Sequence, residues 1–163
     1  MGKQRSALYS QYQTDPAAEV DGVWVRDLAP GVHVKVARHN NAKHKAVSVR
    51  LARPYRAQID RETLSEEVAE DLVIRAMAEA IVIDWEGMTD EDGNILEPTV
   101  ANKVKILTDL PDLRADIAQA ARTQDLYRAE SIEEALKNSK RSSAGDSGGA
   151  TSATAGKGTT SAE

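Results

Sequence analysis

The chain has 163 residues, no cysteine, no phenylalanine and a formal net charge of −5. Without cysteine there is neither a disulfide nor a thiolate zinc site; no apolar run approaches the ~20 residues that span a bilayer, and the N-terminus lacks the apolar core of a secretion signal. The charge is divided: residues 1–58 carry ten Lys and Arg against four acids, and residues 59–138 carry eight against twenty, which suits steering of a charged partner or one half folding against the other.

In chain order, residues 1–20 are polar and expected to be a flexible N-terminal segment. Val23 and Val25, then Val32, Val34 and Val36, alternate on either side of Ala29-Pro30-Gly31, with Trp24 on the opposite face from its valine neighbours. This predicts a β-hairpin. A lone hairpin is marginal in water, so it must pack on something. Residues 40–56 fit two patterns. Val47 and Val49 alternate as in a strand, whereas Ala42, Ala46 and Val49 share a helical face that Asn41 could cap and Pro54 would end.

Thr63 and Glu66 form a capping box. Leu64, Val68, Leu72, Ala76 and Ala80, widened by Val73, Met77 and Ile81, predict a helix running to about Asp84 and stopping near Gly87. Thr99 caps a helix with Val100, Val104 and Leu107 inward. Asp109 caps another with Leu113, Ile117, Ala120 and Ala121 inward, and Ser131 with Glu134 opens a last one before Ile132, Ala135 and Leu136. From Ser139 on, Ser, Thr, Ala and Gly dominate, which cannot offset ordering entropy of roughly 1–2 kcal/mol per residue. The expectation is a mainly α, α+β fold. A hairpin and four or five helices form one domain over 21–138, followed by a disordered tail over 139–163.

The acidic run from Asp84 to Asn94 fails as a calcium loop: counted from Asp90, the turn position is Ile95 rather than Gly and the bidentate position is Ala101 rather than Glu. Its acids sit in a turn, where solvent screens them, and so suit neither acid–base chemistry nor a metal. His33, His39 and His44 match no zinc spacing and read as surface polar residues. No nucleophile elbow or phosphate loop is present, and the sequence implies neither an enzyme nor a cofactor. The basic stretch Lys43, Lys45, Arg50, Arg53 and Arg56 reads as a docking face for an acidic protein, or as a partner for the acidic helix at 66–71. It is less suited to nucleic acid, because the rest of the domain is acidic.

Taken in order, Ile81 to Gly87, Asp90 to Gly93, Pro98 to Leu107 and Asp109 to Leu113 resemble the tail assembly chaperones of long-tailed bacteriophages over about residues 22–128. The shared elements are a helix leading into a Trp-x-Gly element, an acidic turn, a helix, and an Asp-x-Pro-x-Leu entry to a long helix. The resemblance favours a helix for 40–53. Where that family tends to carry a Phe in the last helix, this chain has Leu126-Tyr127. The resemblance implies a non-enzymatic protein that binds the tape measure protein in the host cytoplasm, keeps it soluble and helps bring tail tube subunits to it. It also implies absence from the finished particle and, in many members, a longer frameshifted form. A holdase needs an apolar surface with a charged rim; Val73, Met77 and Ile81, with Trp85 and Met88 at the rim, are the expected client contacts, the alternative being that all are core. A structural virion protein and a nucleic-acid-binding regulator using 38–56 are the other readings.

Overall fold

Alternating valines and a proline-glycine turn give the protein its first extended pair. The computed structural model describes residues 6–142. Strands β1 (Val23–Ala29) and β2 (Val32–Val36) pair antiparallel, with Val25 opposite Val34 and Val23 opposite Val36. The register shifts between Val25 and Ala29, where Asp27 takes a positive φ of 52° and its N–H donates to His33 Nδ1 at 2.9 Å. A third strand, β3 (Val82–Glu86), adds antiparallel to β2, giving sheet order β1-β2-β3.

The predicted helix to Asp84 therefore ends earlier. Helix α5 (Glu66–Ala80) starts at Ser65, whose side chain accepts from Val68 N, so Ser65 caps rather than Thr63. After Ala80 the β-branched run Ile81-Val82-Ile83 fits a helical stripe and a strand equally well. Pairing with the exposed side of β2 decides for the strand. Lys35 faces Asp84 and Val36 faces Val82, so Ile83 is the extra residue of a bulge. That bulge puts Val82 and Trp85 on the same, buried face.

The other helices are α1 (Ala7–Tyr12), α2 (Pro16–Asp21), α3 (Ala42–Ala52), α4 (Arg56–Asp60), α6 (Val100–Asp109), α7 (Pro111–Arg122) and α8 (Ala129–Ser142). Single 3-10 turns occupy Arg53–Tyr55 and Gln124–Tyr127. The ambiguous segment 40–56 is helical: Asn41 accepts from His44 N at 3.0 Å, and Pro54 falls in the turn that ends the helix. Thr99 caps α6 as expected. Asp109 does not cap α7; it is the last residue of α6, where it pairs with Lys105, and Leu110 is the N-cap without a side-chain bond. Helix α8 begins at Ala129, two residues before Ser131. Within the segment read from sequence as polar and loose, residues 1–20, Ala7–Tyr12 is α1, and α2 begins at Pro16. Arg38 pairs with Glu19, and Asp15 N donates to Tyr127 O at 2.8 Å. The tail expected from 139 lies, from 143 on, outside the described residues.

The mainly helical fold with its hairpin is as expected, and the core joins sheet to helices. Val34, Val36, Ile74, Met77, Ile81, Val82, Trp85, Met88, Ile106, Leu107, Ile117 and Ala121 form one cluster. On α6 the inward face differs from the prediction: Val100 is exposed, whereas Lys103 is buried with its ammonium donating to Ile83 O at 2.9 Å. Burial pushes that lysine below its usual range, against the pull of Asp84. Tyr127 is fully buried and its hydroxyl donates to Val36 O at 2.9 Å, so a tyrosine in a 3-10 turn plugs the core where the resemblance expects a helical Phe.

Candidate protein-binding groove

The stripe of α5 is wider than its neighbours cover. Helices α3 and α6 both pack against α5. Between α3 and α5, closed at its ends by α4 and the end of α7, lies an open groove of about 500 Å³. Helix α3 contributes His44, Ser48 and Ala52, spaced four apart and so on one face. Helix α5 contributes Ala69, Leu72, Val73, Ala76 and Met77, and α7 contributes Ala118, Ala121 and Arg122; Ile59, Leu64, Ile81 and His39 complete the lining. The link after β2 fixes the far end: Ala37 N donates to Ile81 O and His39 N to Ala121 O, both at 2.8 Å. A second hollow of about 330 Å³ adjoins it, sharing Ala52 and Ile59 and adding Val49, Arg53, Arg56 and Asp60.

Of the expected client contacts, Val73, Met77 and Ile81 line this groove. Val73 is 55% exposed at its mouth, while Met77 and Ile81 are buried and form floor and core at once. Trp85 and Met88 are neither rim nor groove. The indole lies in the core with Nε1 donating to Leu96 O at 2.7 Å, and Met88 is buried in the same core cluster. The reason is β3: once Val82–Glu86 is a strand, its bulge turns Trp85 inward. The acidic turn that follows is closed by its own backbone and Asp90. Asp90 accepts from the Asn94 side-chain amide at 3.0 Å and from Asn94 N and Asp92 N at 2.8 and 3.0 Å, and these bonds, the Asn94 side chain's first, hold its carboxyl below the usual range. Among the described residues no cluster of His, Asp or Glu suits a metal, and no helix is long and apolar enough to cross a membrane.

The basic residues do not act together. Arg50 pairs with Glu79 and so fastens α3 to α5. The acidic start of α5 expected to meet the basic stretch turns elsewhere: Glu70 pairs with Arg114 at 2.5 Å and Asp71 with Arg75 at 2.7 Å. Arg53 and Arg56 line the second hollow; Lys43 and Lys45 are exposed outside it. None of the three histidines is the fully exposed residue expected from sequence: His33 is half-buried at the hairpin, where it accepts from Asp27 N. His39 and His44 are half-buried at the groove, their rings 4.9 Å apart. Burial, then Arg122, lowers the pKa of His39; burial, then His39, lowers that of His44.

A family model described as YdaY prophage protein matches residues 39–138. The chain belongs to the YdaY prophage protein family. It is thus a protein of phage origin, and every residue named as lining the groove and its neighbouring hollow falls inside the matched stretch, whereas β1 and β2 precede it. No curated protein matches the chain, and no solved structure does. Residues missed from sequence, among them Ile59, Ala118, Ala121 and Arg122, belong to helices far apart in the chain. Only the excess width of the α5 stripe hinted at a surface that needed them.

Proposed function

We propose that this protein is a non-catalytic tail assembly chaperone that holds the tape measure protein in the host cytoplasm and helps recruit tail tube subunits. In this reading the groove between α3, α5 and α7 is the client site. The observation that carries the reading is the groove itself, which is apolar, open and flanked by exposed Val49, Ile59 and Val73, in a chain of the YdaY prophage family. Monomeric proteins seldom leave a continuous apolar surface to solvent without a binding partner for it. Phage origin, and the resemblance of the motifs from Ile81 to Leu113 to tail assembly chaperones, support the tape measure protein as the client.

The test is co-expression with the tape measure protein and pull-down, using the full chain, a chain ending at residue 138, and Val73→Asp. Retention by the first two and loss of soluble client with Val73→Asp are expected. Failure of the full chain to retain any tape measure protein would remove the reading, and recovery of the chain in purified particles at fixed stoichiometry would replace it with a virion structural role. The exposed Lys43 and Lys45 keep a nucleic-acid reading in view. A salt-sensitive DNA mobility shift abolished by Lys43→Glu with Lys45→Glu would favour that one.

A further inference from the structure

We infer that the groove receives an amphipathic α-helix whose flanks are acidic, rather than an extended segment; this rests on the client-binding reading above and names the kind of segment bound. Three observations lead there. The first is backbone accounting. Apart from the links at His39, Leu64 and Ile81, the groove is walled by helices, chiefly α3, α5 and α7, whose mid-helix N–H and C=O groups are paired within each helix. They offer no free strand edge, so an extended ligand would bury unpaired backbone groups against apolar walls. A helix brings its own bonds.

The second is floor chemistry. Ala52, Ala69, Ala76, Ala118 and Ala121 carry only methyl groups. Such a floor lets a helix axis approach the 8–10 Å separation at which side-chain ridges and grooves interlock. His44 to Ala52 spans about 12 Å along α3, which matches two to three turns of a docked helix, and the second hollow extends the track at Ile59.

The third is charge. The ionic groups lining the groove and its neighbour are Arg53, Arg56 and Arg122 against the single carboxylate of Asp60. Burial lowers the pKa values of His39 and His44 there and so disfavours their charged forms. None of the three arginines has an ion pair among the described residues, in contrast to Arg50, Arg75 and Arg114, which do. The rim is therefore cationic and unspent in a chain of net charge −5. It favours Glu or Asp beside the apolar stripe of the ligand and disfavours Lys.

Three synthetic peptides of about 18 residues with one Leu/Ala stripe would test this: one with Glu flanks, one with Lys flanks, and one with Glu flanks and a central proline. Fluorescence anisotropy with the full chain should give at least tenfold tighter binding of the Glu peptide than of either other. That preference should shrink in 0.5 M salt, and Arg53→Glu with Arg56→Glu should abolish it while far-UV circular dichroism stays unchanged. Equal binding of the three peptides, binding of none, or a dimer broken by Val73→Asp that shows a second copy filling the groove would each overturn it. Retained tape measure protein together with peptide indifference sinks the helix inference alone. Charge-selective peptide binding without tape measure retention sinks the chaperone reading and leaves the helix site.

Discussion

Tyr127→Phe isolates one buried hydrogen bond. The ring stays and fills the same volume, but the hydroxyl that donates to Val36 O at 2.9 Å is gone, and both residues are fully buried, so no water replaces it. Leaving a buried carbonyl short of a donor costs about 1–3 kcal/mol. For a domain of this size that lowers Tm by about 3–10 °C. Urea unfolding followed by the fluorescence of Trp24 and Trp85 should show a lower midpoint at unchanged m. Tyr12→Phe, at an exposed site, should stay within about 0.5 kcal/mol of the parent.

The same phenol makes a second, alkaline signature. Burial pushes the Tyr127 hydroxyl well above its ordinary value. An unfolded tyrosine ionises near pH 10, so above about pH 10 the unfolded chain releases a proton that the folded one keeps, and stability falls. Lys103, depressed by burial, acts in the opposite sense, and the parent–variant difference cancels it. An unchanged urea midpoint in Tyr127→Phe, or an alkaline decline as steep as the parent's, would refute the reasoning.

Gly87 has φ +74°, and a Cβ there would lie 2.1 Å from Gly31 O, a backbone atom that cannot step aside alone. Gly93 has φ +84° but nothing within 4 Å. Gly87→Ala should therefore fail to give a cooperative unfolding transition or lose more than about 3 kcal/mol, and Gly93→Ala should lose only about 1 kcal/mol of left-handed backbone strain, both read by urea midpoint. His39 and His44, depressed in the fold, are protonated first in the unfolded chain near pH 6.5. Stability present above that pH should thus decline between pH 7.5 and 5.5, and His39→Gln with His44→Gln should flatten the decline. Glu19 adds its own loss only below about pH 4.5. Burial raises its pKa, but Thr14 and Arg38 outweigh that and lower it overall.

Where local chemistry decides, the sequence was readable. The valines of β1 and β2 could alternate only around a turn, and Asn41 and Thr99 cap because each follows a break and precedes an apolar periodicity. The misreadings share one cause, a decision made by residues distant in the chain. Ile81 to Trp85 continues a helical stripe on paper, and only the bonding row of β2 makes it a strand. Trp85 became core for that reason. Asp109 looked like a cap because the sequence cannot show that α6 reaches it and that Lys105 takes its carboxylate. Lys103 on an inward face follows from the bulge at Ile83, whose carbonyl it satisfies. Of the groove, the α5 wall was legible; the α4 and α7 walls come from the topology alone.

Helix α5 passes into β3 with a single residue, Ile81, between them, and Met77 and Ile81 face both the groove and the hydrophobic centre. The cleft therefore has no floor of its own that could melt separately. A ligand settling into it would stiffen the whole domain and raise the cooperative unfolding temperature by mass action. Occupancy could be followed as a concentration-dependent thermal shift with no label on either partner.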